Sequence, residues 1–202
     1  MSNIIERMRG VFTFDMSVFE EIAASKPWLD IAMMISANAA LGMLTVTAAI
    51  AIKSPDSLRI GLPIIMIISL IGLVLAPVSM VLVAGLEHLL IKALGGQKGF
   101  GETLIIFAYL MPWTLVSSFL SMPFGAIGLG IIGSFLSLAT SLASLAENIL
   151  AVQRVHGMEL VNAAAAVLVT MFIIVAVTIA LAFAAAALVA GGLIAAGAGK
   201  LF

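Results

Sequence analysis

Five long apolar runs, at about 28–52, 60–94, 102–121, 125–155 and 159–190, leave this chain one solvent in which most of it can fold. Each clears the roughly 20 residues needed to cross a hydrocarbon core of about 30 Å. Backbone N–H and C=O groups find no water there, so a spanning segment must satisfy them itself, and uninterrupted apolar runs of this length do so as helices. Composition agrees: 63% of the 202 residues are hydrophobic and 9% are charged, where a soluble domain carries about 25% charged residues. The expected fold is an all-α polytopic membrane protein, with a short amphipathic segment over 1–26 and a five-helix transmembrane domain over 27–202. Several runs exceed the minimum by ten residues or more, which predicts tilt, kinks or protruding ends. Pro77 and Pro112 are the natural kink points, because each removes a helical donor and strands a carbonyl four residues earlier. The breaks KSPDSLR, GGQKGFG, SMPFGA and RVHGM all have turn composition.

The first 26 residues alternate charges with short apolar groups and contain no continuous apolar stretch of about 7 to 15 residues, so they do not read as a cleavable signal. Ile4, Ile5, Met8, Val11 and Phe12 recur at helical spacing opposite Glu6, Arg7 and Arg9, predicting a short interfacial helix. Ser17-x-x-Glu20 reads as a capping box opening a second one, with Phe19, Ile22 and Ala23 on its apolar side. Pro27 and Trp28 follow at an expected membrane interface.

Five crossings put the termini on opposite sides, and charge chooses which. Arg7, Arg9, Lys26, Lys92, Lys98 and Arg154 gather on one side, against Lys53, Arg59 and Lys200 on the other. The excess of positive charge on cytoplasmic loops then predicts a cell-membrane protein with its N-terminus inside and its C-terminus outside. The GGQKGFG and RVHGM turns fall on the cytoplasmic side with it. The first has the flavour of a phosphate loop but fails in order and spacing, since Lys98 is followed by Gly99 and Thr103 comes five residues later. It reads as a turn, in which Gly95 and Gly96 end one helix and Glu102 sits at the positive N-terminal end of the next.

Ionisable groups inside a membrane are costly, roughly 2.5 to 3.5 kcal/mol on insertion scales, so they mark candidate sites. Glu87 precedes Gly95 by eight residues and Glu147 precedes His156 by nine, which sets both about 12 to 14 Å in from the turns at matching depth. Gly130, Ser134, Ser137, Ser141, Ser144 and Asn148 form a small, polar stripe leading to one carboxylate. Gly72, Ala76, Ser79, Val83 and Glu87 form another leading to the second. Such stripes allow close helix approach, which is the plainer reading. The sharper reading is a polar cavity in which Glu87, His88, Glu147 and Asn148 hold a cation or relay protons, with Arg154, on about the same face as Glu147, holding that carboxylate ionised. Asn38, Gly42 and Thr45 give the first spanning run a packing stripe of its own.

Other chemistries have no residues to carry them. The chain has no cysteine, and its two histidines, His88 and His156, lack the spacing of a metal motif, so neither metal nor cofactor is expected. No Gly-x-Ser-x-Gly elbow accompanies the serines, which argues against an enzyme. A net charge of −1 offers no basic field for nucleic acid. The lipid bilayer is the expected partner, with a second copy or other membrane proteins as further ones.

Three stretches in fixed order, FEEIAASKPWL, EHLLIKALGGQKGFGETLIIFAYLMPW and NILAVQRVHGMEL before a last apolar helix, resemble prokaryotic members of the Yip1 family. The resemblance implies a five-helix integral membrane protein with a cytoplasmic N-terminus, and relatives in eukaryotes that act in vesicle traffic with Rab GTPases. The Asp-Leu-x-Gly-Pro motif of those relatives is missing, Asp56-Ser57-Leu58 being its nearest counterpart, so Rab binding does not carry over. Two function classes stay open: a non-enzymatic membrane organiser or adaptor recruiting partners on its cytoplasmic face, and a small ion or proton channel or transporter built on Glu87 and Glu147.

Overall fold

The computed structural model describes residues 4–53, 57–126 and 128–198, with the side chains of 45–69, 188–198 and scattered positions outside the description. The chain divides into two compact units, Met1–Val167 and Leu168–Phe202. Every regular element among the described residues is a helix: α1 (Ile4–Phe12), α2 (Met16–Ser25), α3 (Trp28–Lys53), α4 (Ser57–Ala93), α5 (Phe100–Leu110), α6 (Pro112–Ala126), α7 (Gly130–His156) and α8 (Leu160–Ala198). Among the described residues, three stretches are long and apolar enough to cross a membrane: Phe100–Ser121, Gly130–His156 and Leu160–Ala184.

The helix ends follow from local chemistry. α4 stops where Gly95 turns left-handed (φ +96°): Gly96 N–H bonds to Ile91 O at 2.8 Å and Gly95 N–H to Lys92 O at 3.3 Å. α7 stops in the same way at Gly157 (φ +63°), with Met158 N–H on Gln153 O at 3.1 Å. A side chain at either glycine would strain a backbone that L-residues rarely adopt. Pro112 breaks the third apolar run into α5 and α6 at Met111, as its missing donor predicts. Pro77 does not break α4, which runs unbroken past it.

Three expectations are corrected. The turn expected at SMPFGA is helical through Ala126 with Pro123 inside the helix, and the chain instead reverses at Gly128 (φ +81°), whose left-handed backbone favours glycine. The cap of α2 is Asp15, whose carboxylate accepts from Ser17 N–H at 3.1 Å and Ser17 O–H at 2.6 Å, so Ser17 lies in the first turn and opens no capping box. The last apolar run, expected to end at about 190, continues as α8 to Ala198; residues 199–202 lie outside the described set.

In the first unit the core forms around α5, whose Ile105, Ile106, Ala108 and Tyr109 are fully buried against α1, α2, α3, α4 and α7. α6 packs mainly along α7. The helices α1 and α2 cap one end of this bundle and bury Val11, Phe19 and Ile22 completely or nearly so. Each such side chain removed from water contributes about 1.5–3 kcal/mol. The face of α1 is rotated from the expected one: Arg7 is buried, while Ile5 is 74% exposed. Arg7 turns inward because carboxylates wait for it there. The second unit, the remainder of α8, shows Phe172, Leu181 and Phe183 on its surface, as a lipid-facing helix does.

Candidate functional site

The polar groups that bond across helices gather mainly toward the capped end of the first unit. The deepest are the two glutamates, both buried, with Glu87 1% and Glu147 0% exposed. Asn148 on α7 donates its amide to both oxygens of Glu87 on α4, at 3.4 and 3.3 Å. Glu147 accepts instead from the indole N–H of Trp113 on α6. Each carboxylate thus meets a neutral donor from a neighbouring helix. Glu147 Oε1 and Asn148 Oδ1 remain buried with no bonded partner. Trp113 is itself covered by the cap, with Phe12 edge-on at 5.1 Å and Phe14 at 6.3 Å.

His88, the next residue after Glu87, turns away from it to a second layer. Its Nδ1 meets Thr103 Oγ1 at 3.0 Å, and the same hydroxyl meets His156 Nε2 at 3.1 Å, so one threonine of α5 joins histidines of α4 and α7. Both histidines thereby lie in one cluster, with ring centroids 6.2 Å apart. No group of three or more metal-ligating side chains occurs among the described residues.

Ion pairs form the outermost layer. Arg154 does not hold Glu147, as its position on the same face suggested; its Nε pairs with Glu20 of α2 at 2.7 Å. Seven residues of helix separate Arg154 from Glu147 by about 10 Å, and α2 offers a nearer carboxylate. Lys26 pairs with Glu102 at 3.1 Å, which ties the end of α2 to the start of α5. Arg7 reaches Asp30 at 2.8 Å and Glu21 at 3.1 Å, and Asp30 also accepts from Tyr109 O–H at 3.1 Å. Burial works against the Arg7 charge, but its bonds to Glu21, Tyr109 and Asp30 outweigh that and hold the guanidinium above its usual value.

Between α2, the turn after α4 and the end of α7 lies a cleft of about 480 Å³, lined by Glu20, Lys26, Gln97, Lys98, Glu102, Arg154, His156 and Gly157 among others. The residues of the GGQKGFG turn and the helix start after it therefore divide. Gly95 and Gly96 close the helix, while Lys98 and Glu102 face the cleft.

The serine stripe of α7 behaves as packing. Ser134 and Ser141 hydrogen-bond carbonyls of their own helix at 3.0 and 2.8 Å, and Ser137 meets Ser117 of α6 at 3.0 Å. A shallow groove of about 540 Å³ runs beside it. Of the α4 stripe, the burial of Gly72 and Ala76 lies outside the description, as does that of Thr45 in the α3 stripe; Asn38 accepts from Thr114 of α6 at 3.1 Å.

Arg7, Asp30, Thr103, Tyr109 and Trp113 were not legible as members of this constellation. Trp113 carried one signal, an indole N–H in an apolar run that needs an acceptor, but spacing does not say which carboxylate supplies it.

Helices of spanning length, lipid-facing apolar surfaces and polar groups drawn inward define an integral membrane protein. The Yip1 domain model matches residues 9–183, and the chain belongs to the Yip1 family. No curated protein and no solved structure matches it.

Proposed function

We propose that this chain is a non-enzymatic organiser of its membrane, acting through the end of the bundle that α1 and α2 close. In this reading α3, α4, α5 with α6, α7 and α8 make five crossings, and residues 1–26 lie on the cytoplasmic side. A second copy or another membrane protein is the partner recruited there. The observation that carries it is the fastening of the cap: Arg7–Asp30, Lys26–Glu102 and Arg154–Glu20 each join the N-terminal segment to a long helix. Phe19 and Ile22, the apolar side of α2, are used up inside the molecule, so recruitment falls to the polar surface around Glu20, Lys98 and Arg154. The absence of cysteine makes topology testable in the native background. A membrane-impermeant maleimide should label Gln97→Cys from the cytoplasmic side and Ser54→Cys from the other; labelling of both from one side overturns the five-crossing arrangement.

The buried carboxylates favour a second reading, a small cation or proton pathway. Glu87 and Glu147 are both buried, and Glu147 Oε1 and Asn148 Oδ1 have no bonded partner. Proteoliposomes under potassium and proton gradients separate the two. An organiser passes nothing, whereas flux that disappears in a Glu87→Gln, Glu147→Gln double variant makes the glutamate level a pathway.

A further inference from the structure

The cleft at the capped end carries one more cation than carboxylate, with Lys26, Lys98 and Arg154 set against Glu20 and Glu102. Each of its two carboxylates already has a cation. Glu20 is held by Arg154 at 2.7 Å and Glu102 by Lys26 at 3.1 Å. The carbonyls at the end of α7, which would otherwise repel negative charge, take N–H groups: Gln153 O from Met158 at 3.1 Å, and His156 O from Gln97 at 3.2 Å. In the turn, Lys92 Nζ donates to Gly96 O at 3.3 Å and to Gln97 O at 3.4 Å.

Its donors are not all used. Lys98 and the carboxamide of Gln97 line the cleft with no bonded partner among the described residues. His156, fully buried, forms part of the wall, and its Nδ1 has no partner. Burying a polar nitrogen without a bond costs about 1–3 kcal/mol, which calls for a compensating ligand.

We propose that this cleft binds a phosphate-bearing anion, with the Lys98 ammonium as its counter-charge and His156 Nδ1–H and the Gln97 amide as neutral donors. Anion binding also selects a tautomer. When His156 Nδ1 carries the proton, Nε2 accepts from the Thr103 hydroxyl, and Thr103 Oγ1 in turn accepts from His88 Nδ1–H, so a single donor direction runs across three helices. The opposite tautomer leaves a bare nitrogen lone pair facing the anion. Phosphate of this kind comes from two sources, the headgroup of an acidic lipid or a soluble phosphate, and the chemistry of the cleft is the same for both.

The chain has two histidines, so its imidazole nitrogen spectrum holds two sets of resonances, and Thr103→Val assigns the bridged positions. The full-length protein in maltoside micelles is titrated with inorganic phosphate and, separately, with short-chain phosphatidic acid. The expected result is a saturable shift of the His156 nitrogens toward the Nδ1–H tautomer. In Lys98→Glu the binding weakens at least about tenfold, the size of one lost charge-assisted bond. Lys98 is exposed, so this variant keeps its fold, with an unchanged circular dichroism spectrum as the control. A response to inorganic phosphate identifies a soluble ligand as sufficient, and a response to phosphatidic acid alone identifies the headgroup. No shift with either probe overturns the proposal, as does a shift that Lys98→Glu leaves intact. The cleft lies at the surface through which the organiser is proposed to act, but the titration reads ligand binding alone, so failure here leaves that reading standing.

Discussion

The two halves of α7 handle polar side chains in opposite ways. From Ser134 to Ser141 the hydroxyls turn back on their own helix, to Gly130 O at 3.0 Å and Ser137 O at 2.8 Å, and only Ser137 crosses to a neighbour. From Glu147 to His156 every polar bond crosses: to Trp113 of α6, Glu87 of α4, Glu20 of α2 and Thr103 of α5. A hydroxyl satisfied by its own backbone says nothing about what lies beside the helix, whereas a cross-helix bond fixes a partner and a register. One half is therefore specified by shape and the other by polar matching, and the candidate site lies in the second.

The sharpest way to break that contrast is at the capped end. Arg7→Ala leaves Asp30 and Glu21 facing each other without their cation and should cost about 3 kcal/mol, read as a lower thermal midpoint in detergent and as protease cutting near Lys26. A variant as stable as wild type would show that the cap is held by its apolar contacts alone. At the other end shape should matter most. A Cβ at Gly133 would lie 2.8 Å from Ser121 O, so Gly133→Val should force α6 and α7 apart at a cost of about 1–3 kcal/mol. Thr103→Val keeps the volume but removes the hydroxyl between the two histidines. A loss of about 1–2 kcal/mol is expected, and a neutral result would show the bridge to be incidental. Ser134→Ala and Ser141→Ala should each fall within about 0.5 kcal/mol of wild type, because their bonds duplicate what the helix backbone already makes. A large effect from either would move that half of α7 into the specified class.

The same contrast explains what could be read in the sequence. Helix positions were legible, since lipid admits only internally bonded backbone and the runs mark it directly: 28–52 became Trp28–Lys53 and 125–155 became Gly130–His156. The break at Pro112 was legible for the same reason, a missing donor. Rise per residue led to the expectation that Glu87 and Glu147 share a depth, and Asn148, next to Glu147 in sequence, donates to Glu87 at 3.3 Å. Partner choice was not legible, because it depends on helix rotation and on elements distant in sequence. Arg154 shares a face with Glu147 yet bonds to Glu20, and Arg7, placed on the outer face by periodicity, is drawn inward by Asp30, 23 residues away. Periodicity reports the average of a face, and a single paired charge can override it.

The Arg7–Asp30 pair has a mechanical consequence. It closes residues 7 to 30 into a non-covalent ring, with α2 hanging inside it and the left-handed Lys26 (φ 45°) at its bend. Tension on the N-terminus passes from α1 through Arg7 along two routes, into α3 at Asp30 and into α2 at Glu21, so the helix that supplies one wall of the cleft shares the load with the first long helix.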